Sequence, residues 1–128
     1  MKHGFLPFAL CAACLAALAG CATVLPSYTE PDALAALIRD RTEPYVLVDV
    51  RSAAEYASGH IPTAVNVPVD VIAEKPPTRD KAALVIVYCA SGGRSAKAAK
   101  ALVDLGYARV TDFGAVSRWK GDLVLGDK

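Results

Sequence analysis

The residues best suited to chemistry stand together in one short run, Cys89-Ala90-Ser91-Gly92-Gly93-Arg94-Ser95. Gly92 and Gly93 let the backbone curl so that successive N–H groups face inward. A helix starting at the end of the run adds unsatisfied N–H groups and a partial positive charge. The Arg94 guanidinium is expected to point to the same place. A thiol so surrounded ionises readily and becomes a nucleophile near neutral pH. The same cradle also holds an oxyanion. The loop therefore has several readings. Cys89 is a small buried hydrophobe, or the run is a phosphate-binding loop, or it is the anion cradle of a cysteine enzyme. The second lacks the Gly-Lys-Ser/Thr that such loops carry, and the third uses every residue type present.

A cradle of this kind needs a strand to deliver the cysteine and a helix to receive the loop. Ala82–Tyr88 is the strongest strand signal, apolar and β-branched, and Ser95–Leu105, closed by Gly106, reads as the helix. Ala96, Ala99 and Val103 are expected to form its buried stripe, with Lys97 and Lys100 solvated. Upstream, Asp32–Arg41 reads as a helix with Leu34, Leu37 and Ile38 on one face, and Glu43-Pro44 ends it. Tyr45–Val50 is an apolar run up to Asp49, as in a strand buried on both faces. A helical turn at Ser52–Ala57, a brief strand at Ala64–Val67, a short helix at Val69–Glu74 and a last strand at Tyr107–Thr111 complete the pattern. Strands alternating with helices make an α/β domain with a small, largely parallel sheet flanked by helices. The carboxyl edge of such a sheet, where Cys89 lies, is where these folds place ligands.

The N-terminal residues belong to a different object. Met1-Lys2-His3 gives a positive start, and 14 of the 15 residues from Phe5 to Ala19 are apolar. That run is shorter than the roughly 20 residues of a membrane span and has the layout of a secretory signal. Leu18-Ala19-Gly20-Cys21 resembles the lipobox of bacterial lipoproteins. The resemblance implies cleavage before Cys21, lipidation of its thiol, and a membrane anchor, since each buried CH₂ adds about 0.8 kcal/mol. Ala22 after the cysteine leans towards the outer membrane. The expected organisation is a signal peptide at 1–20, a tether at 21–30 and a domain at 31–125.

This division reorders the cysteines and the composition. Of four cysteines, Cys11 and Cys14 leave with the signal, Cys21 carries lipid, and Cys89 remains as one free thiol in an oxidising compartment. The whole chain is 54% apolar with net charge +1, but without residues 1–20 it has 13 basic and 13 acidic side chains and an ordinary apolar content. Disorder is excluded, and no basic block offers a grip on nucleic acid.

Val48-Asp49-Val50-Arg51, Glu55-Tyr56, Gly59-His60-Ile61-Pro62 and Ala64-Val65-Asn66-Val67-Pro68 resemble, in order and spacing, the N-terminal signature of single-domain rhodaneses. Val85–Ser95 resembles that family's active-site strand and loop. Gly106-Tyr107, Val110 and Gly114 to Trp119 resemble its closing segment. Phe113-Gly114-Ala115 departs from the two glycines the family often has there, which concerns the local backbone and not the catalytic loop. The resemblance implies a three-layer rhodanese fold and ping-pong sulfur transfer. The Cys89 thiolate would take the outer sulfur of thiosulfate or another sulfane donor, and a thiol or cyanide would remove it. Ala90, Ser91, Gly92, Gly93, Arg94 and Ser95 would form the anion loop, with Arg94 orienting the donor or stabilising the loop. Asp49 and Arg51 would fix neighbouring loops, and Glu55 would pair with Arg94 or Arg51. His60 would bond backbone, and Trp119 would pack near the site rim. No metal and no organic cofactor is implied. Two readings from other classes stay open: a non-catalytic module binding anions or partner proteins, and a cysteine phosphatase or arsenate reductase. Four residues separate Cys89 from Arg94, one fewer than those enzymes usually have, which suits transfer to a sulfur-sized atom.

Overall fold

Alternating apolar strands with short helical segments leave a sheet whose two faces must both be covered, and the chain covers them with different elements. The computed structural model describes residues 27–127. In chain order the elements are α1 (Pro31–Asp40), β1 (Val46–Asp49), α2 (Ala53–Ser58), β2 (Val65–Asn66), β3 (Leu84–Cys89), α3 (Gly93–Asp104) and β4 (Arg109–Ala115), followed by a 3₁₀ turn at Val116–Arg118. The strands form one sheet in the order β2-β1-β3-β4, and all three neighbouring pairs are parallel.

The pleat sorts side chains onto two cores. On one face Leu84, Ile86 and Tyr88 of β3 pack with Leu47, Phe113, Leu34 and Leu37 of α1, and Tyr56 of α2. On the other Val85, Val87 and Cys89 pack with Val48, Val50, Ile72, and Ala98 and Leu102 of α3. Every residue of β3 is buried, so its cysteine arrives fixed by a strand packed on both sides. Each fully buried Val, Leu or Ile contributes roughly 1.5–3 kcal/mol relative to exposure.

Several expected boundaries shift, each for a local reason. α3 begins at Gly93, two residues early, and its buried stripe is Ser95, Ala98 and Leu102. The stripe of Ala96, Ala99 and Val103 is therefore wrong, and Val103 is 57% exposed. Residues 69–74 make turns, not a helix: Val71 N–H donates to Pro68 O and Lys75 N–H to Val71 O, with only Ile72 fully buried. β4 runs on to Ala115 because a bulge absorbs Phe113 opposite the Val87/Tyr88 step. Gly114, at φ +90°, supplies the left-handed backbone that this bulge requires. Beyond the 3₁₀ turn the chain returns across α2, where Val124 bridges His60 and Gly126 N–H donates to Ala57 O.

Candidate active site

β1 and β3 run side by side and both end in a polar residue, Asp49 paired in register with Tyr88, and Cys89 one step beyond. At that edge the chain leaves β3 and turns through Ala90–Gly92 into α3. Gly92 is the N-cap and sits at φ +101°, a conformation that side-chain-bearing residues adopt only at a cost. This bend swings the Gly92 N–H back to within 3.0 Å of Cys89 Sγ. Gly93 differs: it starts the helix, its backbone is not left-handed, and a Cβ there would meet nothing within 4 Å. Of the two glycines, only Gly92 is needed for the curl.

Cys89 is 1% exposed, and its sulfur lies at the floor of the loop. Burial pushes its thiol pKa up. The Ser95 hydroxyl and the backbone N–H groups of Ser95, Gly92 and Ser91 push it down more strongly, so the thiol is held below its ordinary value. The Ser95 hydroxyl also stands 3.0 Å from Gly92 O. With one proton to give, it donates to Gly92 O beside a neutral thiol and to sulfur beside a thiolate. Gly92 O keeps a second donor, Ala96 N–H at 3.1 Å, so the hydroxyl can turn without stranding it. Ser95 is fully buried among apolar side chains of α3.

The family model for the rhodanese-like domain matches residues 30–122. The chain belongs to the rhodanese-like family. A sulfurtransferase of Allochromatium vinosum is 41% identical over 83 residues, 61% of this chain and 74% of that protein. Thiosulfate sulfurtransferase PspE of Escherichia coli is 34% identical over 71 residues, 54% of this chain and 68% of that protein. Among solved structures, a rhodanese with anions from E. coli superimposes with TM-score 0.56 at 31% identity, covering 64% of this chain and 99% of that one. These likenesses support rhodanese-type sulfur transfer as the general chemistry of this rhodanese-like chain.

The geometry revises the role of Arg94. Its guanidinium does not donate to sulfur; its two terminal nitrogens grip Glu55, Nη1 to Oε1 at 2.7 Å and Nη2 to Oε2 at 2.9 Å. This also decides the partner of Glu55 between Arg94 and Arg51. Glu55 is drawn down to about 2, first by the Arg94 fork and then by Ser52, against some desolvation. Ser52 and Glu55 form a reciprocal capping box at the start of α2, a Ser-x-x-Glu pattern legible in the sequence but not singled out there. Arg94 thus ties the first turn of α3 to the start of α2 and braces the loop from outside.

Arg51 goes to the other carboxylate. Its Nη2 stands 2.7 Å from Asp49 Oδ2, its Nε 3.0 Å from Oδ1, and its Nη2 also reaches Gly59 O at 2.7 Å. Asp49 is fully buried and Arg51 nearly so, and together they pin the Gly59–Pro62 segment to the end of β1. Tyr88 OH accepts from Ile61 N–H at 3.0 Å and anchors the same segment from β3. His60 stacks on Tyr56 at 3.7 Å, and its Nδ1 donates to Tyr56 O at 2.9 Å. Trp119 packs against the core that α1 covers, on the sheet face opposite Cys89. The signal, the lipidation site Cys21 and the first residues of the tether lie outside the described residues. No helix among the described residues is long and apolar enough to cross a membrane.

Proposed function

We propose that the protein is a thiosulfate-type sulfurtransferase working through a persulfide on Cys89. In the first half-reaction the Cys89 thiolate attacks the outer sulfur of a sulfane donor such as thiosulfate. A sulfur–sulfur bond forms to Cys89 as the donor's own sulfur–sulfur bond breaks, and sulfite leaves with the electron pair. In the second, a thiolate or cyanide attacks the outer sulfur of the persulfide and Cys89 departs as thiolate. Cys89 is thus nucleophile first and leaving group second, and one stabilised thiolate serves both steps. The observation that carries this reading is the buried Cys89 sulfur at the carboxyl edge of the sheet, with the Gly92 N–H donated to it at 3.0 Å and its thiol held below its ordinary value by the loop and Ser95. The backbone donors are fixed before the negative charge arrives, and only the Ser95 hydroxyl has to turn towards sulfur.

The enclosure of Cys89, at 1% exposure, favours donors that present one projecting sulfur atom. With Arg94 committed to Glu55, the backbone cradle carries most of the stabilisation of bound anions, and binding of thiosulfate is modest. The test is the first half-reaction alone: purified protein, thiosulfate, and no acceptor. One sulfite released per protein, abolished in Cys89→Ser, is the expected result; no release from the unaltered protein overturns the reading.

The N-terminal segment extends this reading to a place in the cell. We infer a lipid anchor on Cys21 that holds the domain at the periplasmic side of a bacterial membrane, the outer membrane in preference to the inner. A Cys21→Ala chain should remain unprocessed or leave the membrane fraction. Unchanged processing and fractionation would defeat the lipobox reading.

A further inference from the structure

A cleft of about 360 Å³ opens beside the catalytic loop, between the turn after β1, the Pro68–Asp70 segment and the first turns of α3. Arg94, part of the loop, forms one wall. Val50 and Val69 line it too, and both also pack into the core that holds Cys89. The cleft therefore adjoins the loop through side chains shared with the Cys89 core.

Its charges divide into two kinds. Arg94 is neutralised by Glu55 and Arg51 by Asp49, so these two cations are already matched. Lys97 and Asp70 also line the cleft, both exposed, and neither takes part in an ion pair among the described residues. They do not bridge to one another either. Lys97 lies on α3 about 4.5 Å further along the axis than Arg94, from three residues at 1.5 Å each. Two unpaired opposite charges lining one cleft are complementary to a ligand that carries both charges itself.

We propose that this cleft docks the sulfur acceptor as a small zwitterionic thiol, an α-amino-carboxylate, with its carboxylate at Lys97 and its ammonium at Asp70. This rests on the persulfide reading of Cys89 and names the acceptor class for it. The acceptor's thiolate attacks the outer persulfide sulfur, a new sulfur–sulfur bond forms on the acceptor, and Cys89 leaves as thiolate. No oxidant or further reactant enters the balance. The charged groups of the acceptor stay in the cleft while only its sulfur has to reach the enclosed loop.

Four thiols separate the contributions: cysteine carries both charges, 3-mercaptopropionate the carboxylate, cysteamine the ammonium, and 2-mercaptoethanol neither. Protein is first loaded from thiosulfate, freed of donor, and its persulfide verified by mass. Unloading is then timed with each thiol, and variant-to-parent ratios cancel the intrinsic reactivity of each thiol. Lys97→Gln should slow cysteine and 3-mercaptopropionate by about two- to fivefold and spare cysteamine and 2-mercaptoethanol. Asp70→Asn should slow cysteine and cysteamine by a similar factor and spare the other two. Equal effects on all four thiols, or no effect on any, overturn the docking proposal while leaving the persulfide intact. Failure of the parent protein to load at all overturns the persulfide reading instead.

Discussion

Removing the Ser95 hydroxyl tests the electrostatics of the loop with little other disturbance. In Ser95→Ala the three backbone N–H donors to sulfur remain, and Gly92 O keeps Ala96 N–H at 3.1 Å as its partner. Ser95 is fully buried, so its bond to the thiolate is shielded from water. A hydrogen bond to a charged group contributes about 1.5–3 kcal/mol. At about 1.4 kcal/mol for each tenfold change, loss of the hydroxyl lowers the ionisation constant of the thiol roughly 10- to 100-fold. The sign follows from the depressed thiol: taking away a donor to the charged form moves the titration to higher pH. The assay is the rate of alkylation by iodoacetamide as a function of pH, followed by mass. Below both midpoints the variant should react about 10- to 100-fold more slowly, and it should rise to nearly the parent rate in alkali, where both are ionised. An unchanged midpoint with a uniformly lower rate would refute the reasoning, because it would show the hydroxyl acting through packing alone.

The two glycines should separate sharply. Gly92→Ala places a Cβ at φ +101° and should cost about 1–2 kcal/mol in urea unfolding with slower sulfite release, whereas Gly93→Ala should be neutral or stabilising by up to about 1 kcal/mol with normal release. Glu55→Gln should lower stability by no more than about 1 kcal/mol, since the pair with Arg94 is more than a third exposed on both sides and screened. Because Glu55 is depressed to about 2 in the folded protein, the difference should be full above the ordinary carboxylate range and vanish as pH falls through about 2, as read by unfolding at a series of pH values. Asp49→Asn leaves the Arg51 charge buried without its partner and should cost about 3–5 kcal/mol, seen as a lowered Tm.

The sequence makes the architecture legible wherever one signal dominates. The unbroken apolar run at Val85–Tyr88 marks a strand buried on both faces, and Cys89 follows it directly, so the position of the nucleophile at the sheet's carboxyl edge is readable without coordinates. The frame of α3 is not. Its inward residue nearest the sulfur is Ser95, and a hydrophobic stripe passes over a serine that is buried because it serves the thiolate. The role of Arg94 is legible only as a pair of alternatives. Its place in the loop suits a donor contact or a brace, and the choice of Glu55, 39 positions away, as its partner is made only by the packing of α2 on the loop. The segment at 69–74 has the apolar content of a helix, but only Ile72 of it is fully buried and its backbone closes turns. The return of the tail over His60 and Ala57 rests on backbone pairing at two points, which residue types do not encode.

Sulfur carried on Cys89 is the centre of the account, and intact-protein mass after a single exposure to thiosulfate measures it most directly. The protein should gain the mass of one sulfur atom, located by peptide mapping to the segment containing Cys89, and lose it on addition of cyanide with release of thiocyanate. A protein that gains nothing, or a Cys89→Ser variant that gains as much, would contradict it.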